Sequence, residues 1–124
     1  EHKFEDQMSS SKFIHQLNNI LLVHYNKPDF TVQDLANLSG MSDRQLLRRL
    51  KNETGIGASE FIRNFRLNIA ADLLKAGKPA SFAAYEAGFT SPSYFSTSFK
   101  KLFKITPKQF SKKQKLESII AQNT

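Results

Sequence analysis

The stretch ANLSGMSDRQLLRRLK, Ala36–Lys51, has a counterpart later in the chain in AYEAGFTSPSYFSTSFK, Ala84–Lys100. In each, an Ala stands four residues before a Gly (Ala36 and Gly40; Ala84 and Gly88). A Ser in cap position follows, Ser42 or Ser91, and then a helical run bearing Leu46 and Leu50-Lys51 in one copy and Phe95 and Phe99-Lys100 in the other. The offset is 48 from Ala36 to Ala84 and 49 from Leu50 to Phe99, so the second copy has one more residue in its turn. A small side chain at the first position lets two crossing helices approach closely. The Gly lets the chain leave the first helix through positive φ. Each stretch therefore reads as a helix–turn–helix corner. One such corner is a weak signal, because any tight helical turn needs small residues; two joined by an apolar helix are a stronger one.

The rest of the chain reads as helix too. Phe13, Leu17, Ile20, Leu21 and His24–Tyr25 recur at three and four residues, behind a cap expected at Ser11 and before a stop at Pro28. Thr31 caps a short helix carrying Leu35 and Ala36, and Ser42 caps the next, which ends at Gly55. A long helix follows Gly57 to about Ala76, with Phe61, Ile62, Phe65, Ile69, Leu73 and Leu74 inward. Pro79 begins a helix ending at Gly88, and Ser91-Pro92 begins another with Tyr94, Phe95, Phe99, Leu102 and Phe103 on its apolar side. Pro107 opens a last short helix, with a fraying tail after Lys112. No alternating strand pattern occurs. The expected fold is all-α, with two helix-turn-helix subdomains joined by a long linker helix and about seven helices in all. The expected boundaries are 1–11 for a connector, 12–56 and 78–114 for the subdomains, 57–77 for the linker helix and 115–124 for a tail.

Composition narrows the function. The 124 residues suit one compact unit or two very small ones. With no Cys, disulfides, thiolate metal sites and a Cys nucleophile are excluded. No apolar run approaches a membrane span, and the opening residues show no signal-peptide pattern. The first residue is Glu rather than Met, so a piece of a longer protein is expected. Lys plus Arg is 18 against 11 for Asp plus Glu, a net charge of +7. The excess is local: seven Lys and no acid lie between Phe99 and Lys115. A polyanion on one face accounts for that, and so does a solvated surface.

AYEAGFTSPSYFSTSFKKLFKITPKQF, Ala84–Phe110, resembles the DNA-binding domain of the AraC/XylS family of bacterial transcription regulators. The likeness lies in Ala, Gly-Phe, Ser, Tyr-Phe-Ser, Phe-Lys-Lys and Thr-Pro at their family spacings. It extends through LANLSGMSDRQLLRRLKNETG, Leu35–Gly55, and Phe61-Ile62, Arg66-Leu67, Ala70 and Leu73-Leu74. The resemblance implies that each subdomain lays its second helix in one of two successive major-groove segments. It also marks departures. Phe82 stands where the family has a polar residue, so a rotated or loose helix 80–87 is expected; Lys104 replaces a common Gly, so a missing left-handed cap is expected; Leu50 and Ser111 stand where Phe and Arg are common.

A recognition helix reads bases with its outward N-terminal residues. In helix 42–54 these are Arg44, Gln45 and Arg48, with Leu47 open between thymine-methyl contact and core. Arg44 and Arg48 lie one turn apart and project alike. Arg can bond guanine O6 and N7 together, and Gln can pair with adenine. In the second helix Ser93, Ser96 and Thr97 offer single hydrogen bonds or methyl contact. Phosphate contacts are expected from Lys100, Lys101 and Lys108, from Arg49 (or an acid partner in its place), and from Arg66, equally open to a snorkelled or Asp72-paired role. Ser42 and Ser91 read foremost as caps whose neighbouring N–H groups could seat a phosphate. Tyr94, Phe95 and Phe99 read as core.

No enzyme is expected: His2, His15 and His24 have no metal-ligand spacing, and Gly55-x-Gly57 lacks the Lys of a phosphate loop. No cofactor and no membrane are expected. The reading is a cytoplasmic output domain on double-stranded promoter DNA, with RNA polymerase and an N-terminal sensor or receiver region as further partners. The alternative is a helical protein–protein interaction module with an incidental basic face, in which an outward Phe82 would serve as a contact.

Overall fold

A computed structural model describes residues 2–123, with side chains from Lys12 onward. Among the described residues there are seven helices and no strand: α1 (His2–His24), α2 (Val32–Leu38), α3 (Asp43–Thr54), α4 (Ala58–Lys75), α5 (Ala80–Glu86), α6 (Pro92–Phe103) and α7 (Pro107–Gln122). They form two compact units, and the division falls inside α4, between Phe65 and Arg66.

The first unit is built on the α1 stripe. Phe13, Leu17 and Leu21 are buried with Phe30, with Leu35 and Ala36 of α2, with Leu46 and Leu50 of α3, and with Ala58 and Ile62 of α4. Truncating a fully buried Leu such as Leu46 costs about 2–5 kcal/mol. The second unit buries Leu67, Ala70 and Leu74 of α4 with Ala83 and Ala84 of α5 and with Ala87, the residue that caps it. Its centre is aromatic. Phe99 has no exposed surface, and its ring lies 5.7 Å from Phe95, 4.5 Å from Phe103 and 5.4 Å from Phe110.

The two corners repeat in atomic detail. Ala36 and Ala84 are buried, and each carbonyl accepts a backbone N–H five residues on, from Met41 and Phe89, both at 2.9 Å. Gly40 and Gly88 donate to Asn37 and Tyr85, and take φ of 75° and 94°. These are Schellman turns, in which glycine permits the left-handed residue that redirects the chain. The second helix of each corner opens on a capping serine, Ser42 or Ser91.

Five expectations are corrected. Helix α1 begins at His2 and passes through Ser11, so Ser11 does not cap it. The last helix is long, running unbroken through Lys112 to Gln122. Lys104 does end α6 in the left-handed conformation, at φ 73°, without a glycine. Helix α5 is tightly seated on Ala83, Ala84 and Ala87, and it holds Phe82 outward under the Lys78 ammonium, 5.6 Å from the ring centroid. Tyr94 and Leu102 are not core: Tyr94 is 52% exposed, and the inward set of α6 is Phe95, Ser98 and Phe99.

Candidate nucleic-acid interface

Helix α3 takes its orientation from Leu46 and Leu50, which anchor one side in the first core. That leaves Arg44, Gln45, Leu47 and Arg48 exposed over its first two turns. Leu47 is 45% exposed and so is no core residue. Arg44 and Arg48 take part in no ion pair among the described residues. The start of the helix is closed by a reciprocal box. The Gln45 N–H donates to Ser42 Oγ at 3.2 Å, and the Ser42 N–H donates to Gln45 Oε1 at 3.0 Å. Asp43 lies in the first turn, where a carboxylate complements the positive end of the helix.

Arg49 stands apart from the other two arginines. Its guanidinium lies 4.3 Å from the Phe13 ring centroid, and its Nε donates to Glu53 Oε1 at 3.4 Å. Of the two partners open to it, the acid is present within the fold. The other carboxylate oxygen of Glu53 is buried with no hydrogen-bond partner among the described residues, and Arg49 is the cation paired with that group.

Helix α6 is positioned in the same manner by Phe95 and Phe99. Ser93, Ser96, Thr97, Lys100 and Lys101 are exposed on it, and Lys108 is exposed at the start of α7. Ser91 Oγ accepts the Tyr94 N–H at 3.2 Å and lies 3.2 Å from Ser93 Oγ, so Ser93 is tied into the cap. Arg66 is half-buried on α4. Burial pulls its pKa below the usual value, and the Tyr94 phenol oxygen acts in the opposite sense. Asp72, six residues further on, is exposed and lies about 240° round the helix from Arg66.

Three features escaped the sequence reading. Gln45 is a capping-box residue, and the Ser-x-x-Gln spacing of Ser42 to Gln45 is its signal. Glu53 is one turn from Arg49, the spacing of an ion pair. The exposure of Tyr94 has no local signal, since it depends on where Phe89 and Phe95 sit; the Tyr94 ring leans on Phe89 at 6.1 Å.

A family model described as a helix-turn-helix domain matches residues 35–113, well over half of the chain. Among solved structures, a transcriptional regulator from Chromobacterium violaceum, described as AraC-type DNA-binding domain-containing, superposes with a TM-score of 0.75 at 27% identity. That match covers 86% of this chain and 96% of the other. The chain belongs to the AraC-type helix-turn-helix family. The AraC-type domain is also 41% identical over 75 residues to the HTH-type transcriptional regulator GlxA of Rhizobium meliloti, covering 59% of this chain and 23% of GlxA. It is 39% identical over 82 residues to Histidine kinase P4 of Formosa agariphila, covering 65% of this chain and 6% of that protein. The AraC-type domain thus spans less than a quarter of either curated relative. The kinase name belongs to the relative as a whole. No helix among the described residues is long and apolar enough to cross a membrane, and none of their His, Asp and Glu side chains cluster as a metal site would need.

Proposed function

We propose that this chain is a sequence-specific double-stranded DNA-binding output domain of a bacterial transcription regulator. The observation that carries this is the pair Arg44 and Arg48. They stand one turn apart, exposed and in no ion pair among the described residues, at the start of the second helix of a helix-turn-helix corner. Two uncompensated guanidiniums there match the fork of guanine acceptors in a major groove. Gln45 and Leu47 flank them, the first able to donate from its amide and the second to touch a thymine methyl. On α6 the short polar side chains Ser93, Ser96 and Thr97 meet base edges. The two second helices take successive major-groove segments. Phosphates are held by Lys100, Lys101, Lys108 and Arg66, and by the N–H groups beside Ser42 and Ser91. Arg49 is assigned to Phe13 and Glu53 instead.

Most base discrimination therefore lies on α3, and α6 supplies affinity. The parent protein acts in the cytoplasm on promoter DNA, and signal sensing and polymerase contact involve a sensor or receiver region and RNA polymerase beyond these residues. The test is selection of bound sequences from a random duplex library, followed by footprinting. The expected result is a guanine-containing motif contacted by α3 beside a less constrained segment about one helical turn, 10–10.5 bp, away. Recovery of no enriched motif would refute the proposal.

A further inference from the structure

Helix α7 carries an apolar stripe that points the wrong way for a core. Its inward side is set by Phe110, which is buried, and by half-buried Ser111 and Gln114. At about 100° per residue, Leu116, Ile119 and Ile120 fall within one arc roughly opposite that side. All three are exposed, at 59%, 47% and 55%. Three large aliphatic side chains at i, i+3 and i+4 make a continuous apolar strip of the kind a partner helix covers. Cations surround it, with Lys108 and Lys115 on one side, Lys113 on the other and Lys112 in line one turn before Leu116. Lys108, Lys112, Lys113 and Lys115 are exposed, take part in no ion pair among the described residues, and share the helix with a single acid, Glu117.

We propose that the outward face of α7 is a docking surface for an acidic amphipathic helix of a partner protein, with an aliphatic stripe flanked by Asp and Glu. Charge and shape together select this occupant. A DNA backbone satisfies the lysines and leaves Leu116, Ile119 and Ile120 in water. A second copy of α7 covers the aliphatic residues and sets Lys against Lys. An aliphatic stripe edged by carboxylates satisfies both sets at once. The proposal shares only Lys108 with the phosphate contacts assigned above; Leu116, Ile119, Ile120, Lys112, Lys113 and Lys115 take no part in them.

The probe is a synthetic 16-residue helical peptide with Leu at i, i+3, i+4 and i+7 and Glu on both flanks. Its control has the same composition with the Leu residues scattered round the helix. Titrated into the isotopically labelled chain, the striped peptide is expected to shift amide resonances within 108–122. It should bind about tenfold or more tightly than the control, since an anchor stripe dominates such interfaces. The triple change Leu116→Ser, Ile119→Ser, Ile120→Ser should remove at least that factor while leaving affinity for a random-sequence duplex unchanged. Lys112→Glu with Lys113→Glu should weaken the peptide with the aliphatic stripe intact. Equal affinity for both peptides, shifts mapping outside 108–122, or a triple variant that binds as before would overturn the proposal. So would a dimer of the unmodified chain abolished by the triple change, tighter capture by phosphatidylserine vesicles than by the peptide, or loss of duplex affinity in the triple variant. Complete failure of the chain to bind DNA would leave these peptide measurements intact and would refute only the DNA-binding proposal.

Discussion

Ser42 and Gln45 each accept the other's backbone N–H, and the atom Gln45 uses is Oε1. That same oxygen is what an adenine amino group would need in a bidentate contact. Cap and base contact therefore draw on one side chain, and substitutions can separate them. Gln45→Ala should lower the unfolding free energy by about 0.5–1 kcal/mol, the range for loss of a cap partner. Gln45→Glu should keep the stability, because a carboxylate at this position also accepts the Ser42 N–H and faces the positive helix end. It should still weaken duplex binding, having placed an anion against phosphates. Chemical denaturation and fluorescence anisotropy on the three proteins check this; equal stability of Gln45→Ala and the unmodified chain would remove the cap from the account.

Three arginines within one helix should give two different phenotypes. Arg44→Ala and Arg48→Ala should each cost about 1–3 kcal/mol in binding to the selected sequence and relax the preference at one base pair. Neither should change the unfolding midpoint, since neither side chain packs against the core. Arg49→Ala should do the reverse. It strips the cation from Phe13 and leaves a partly buried Glu53 carboxylate without its partner, costing stability by about 1–3 kcal/mol. Its ratio of selected to scrambled duplex affinity should stay as it is. A competition assay that finds the ratio altered by Arg49→Ala alone would reverse the assignment.

Lys104 is the one non-glycine residue with positive φ among the described residues. An L side chain in this conformation costs about 1–2 kcal/mol; the backbone N–H of Lys104 donates to the Lys100 carbonyl at 2.8 Å, a bond a glycine would keep, and its side chain adds an Nζ contact to the Lys101 carbonyl at 3.2 Å. Lys104→Gly should therefore stabilise the second unit, by about 1 kcal/mol. Hydrogen exchange of the amides around Phe99 reads that unit directly, and faster exchange in the glycine variant would contradict the strain argument.

Asp34 gives a pH dependence of known sign. The Thr31 backbone N–H donates to its carboxylate at 2.9 Å, and this bond, followed by that of the Thr31 side chain, holds the pKa below its ordinary 3.8. A depressed carboxylate pKa in the fold favours the folded state whenever the group is ionised. The contribution is complete above the unfolded value near 3.8 and is lost as the pH falls through the folded one. Asp34→Asn should flatten the acid side of the stability profile. A carboxyl carbon titration of Asp34 by NMR should show a midpoint under 3.8, and a midpoint at or above that value would rule the mechanism out.

What was legible in the sequence was what short spacing determines. Ala36 to Gly40 and Ala84 to Gly88 located both corners, and Ser42, Ser91 and Thr31 located three helix starts. Leu46, Leu50, Phe95 and Phe99 gave the inward sides of α3 and α6. Where the reading went astray, the deciding contact lay elsewhere in the chain. Tyr94 shares the helical spacing of its apolar neighbours, yet its ring leans on Phe89 from outside while Phe89 and Phe95 pack together in the core. A lysine at 104 predicts loss of the left-handed turn, yet Ile105 packs against the same core as Phe103 and holds the chain to that path. Ser11 has the chemistry of a cap, but α1 continues through it.

Salt dependence separates the phosphate contacts from the base contacts. Lys100 is exposed in the last turns of α6, beyond the N-terminal residues that enter a groove, so it can meet only the backbone of the duplex. Lys100→Ala should weaken selected and scrambled duplexes by the same factor. It should also flatten the plot of log affinity against log salt by about 0.9, the release expected for one phosphate contact. Arg48→Ala should instead change the selected duplex more than the scrambled one. The comparison is a salt titration of both variants on both duplexes at fixed pH. A slope unaltered by Lys100→Ala takes that lysine off the backbone. An equal loss on both duplexes for Arg48→Ala turns its base contact into a phosphate contact, and the discrimination on α3 would then have to come from Arg44, Gln45 and Leu47.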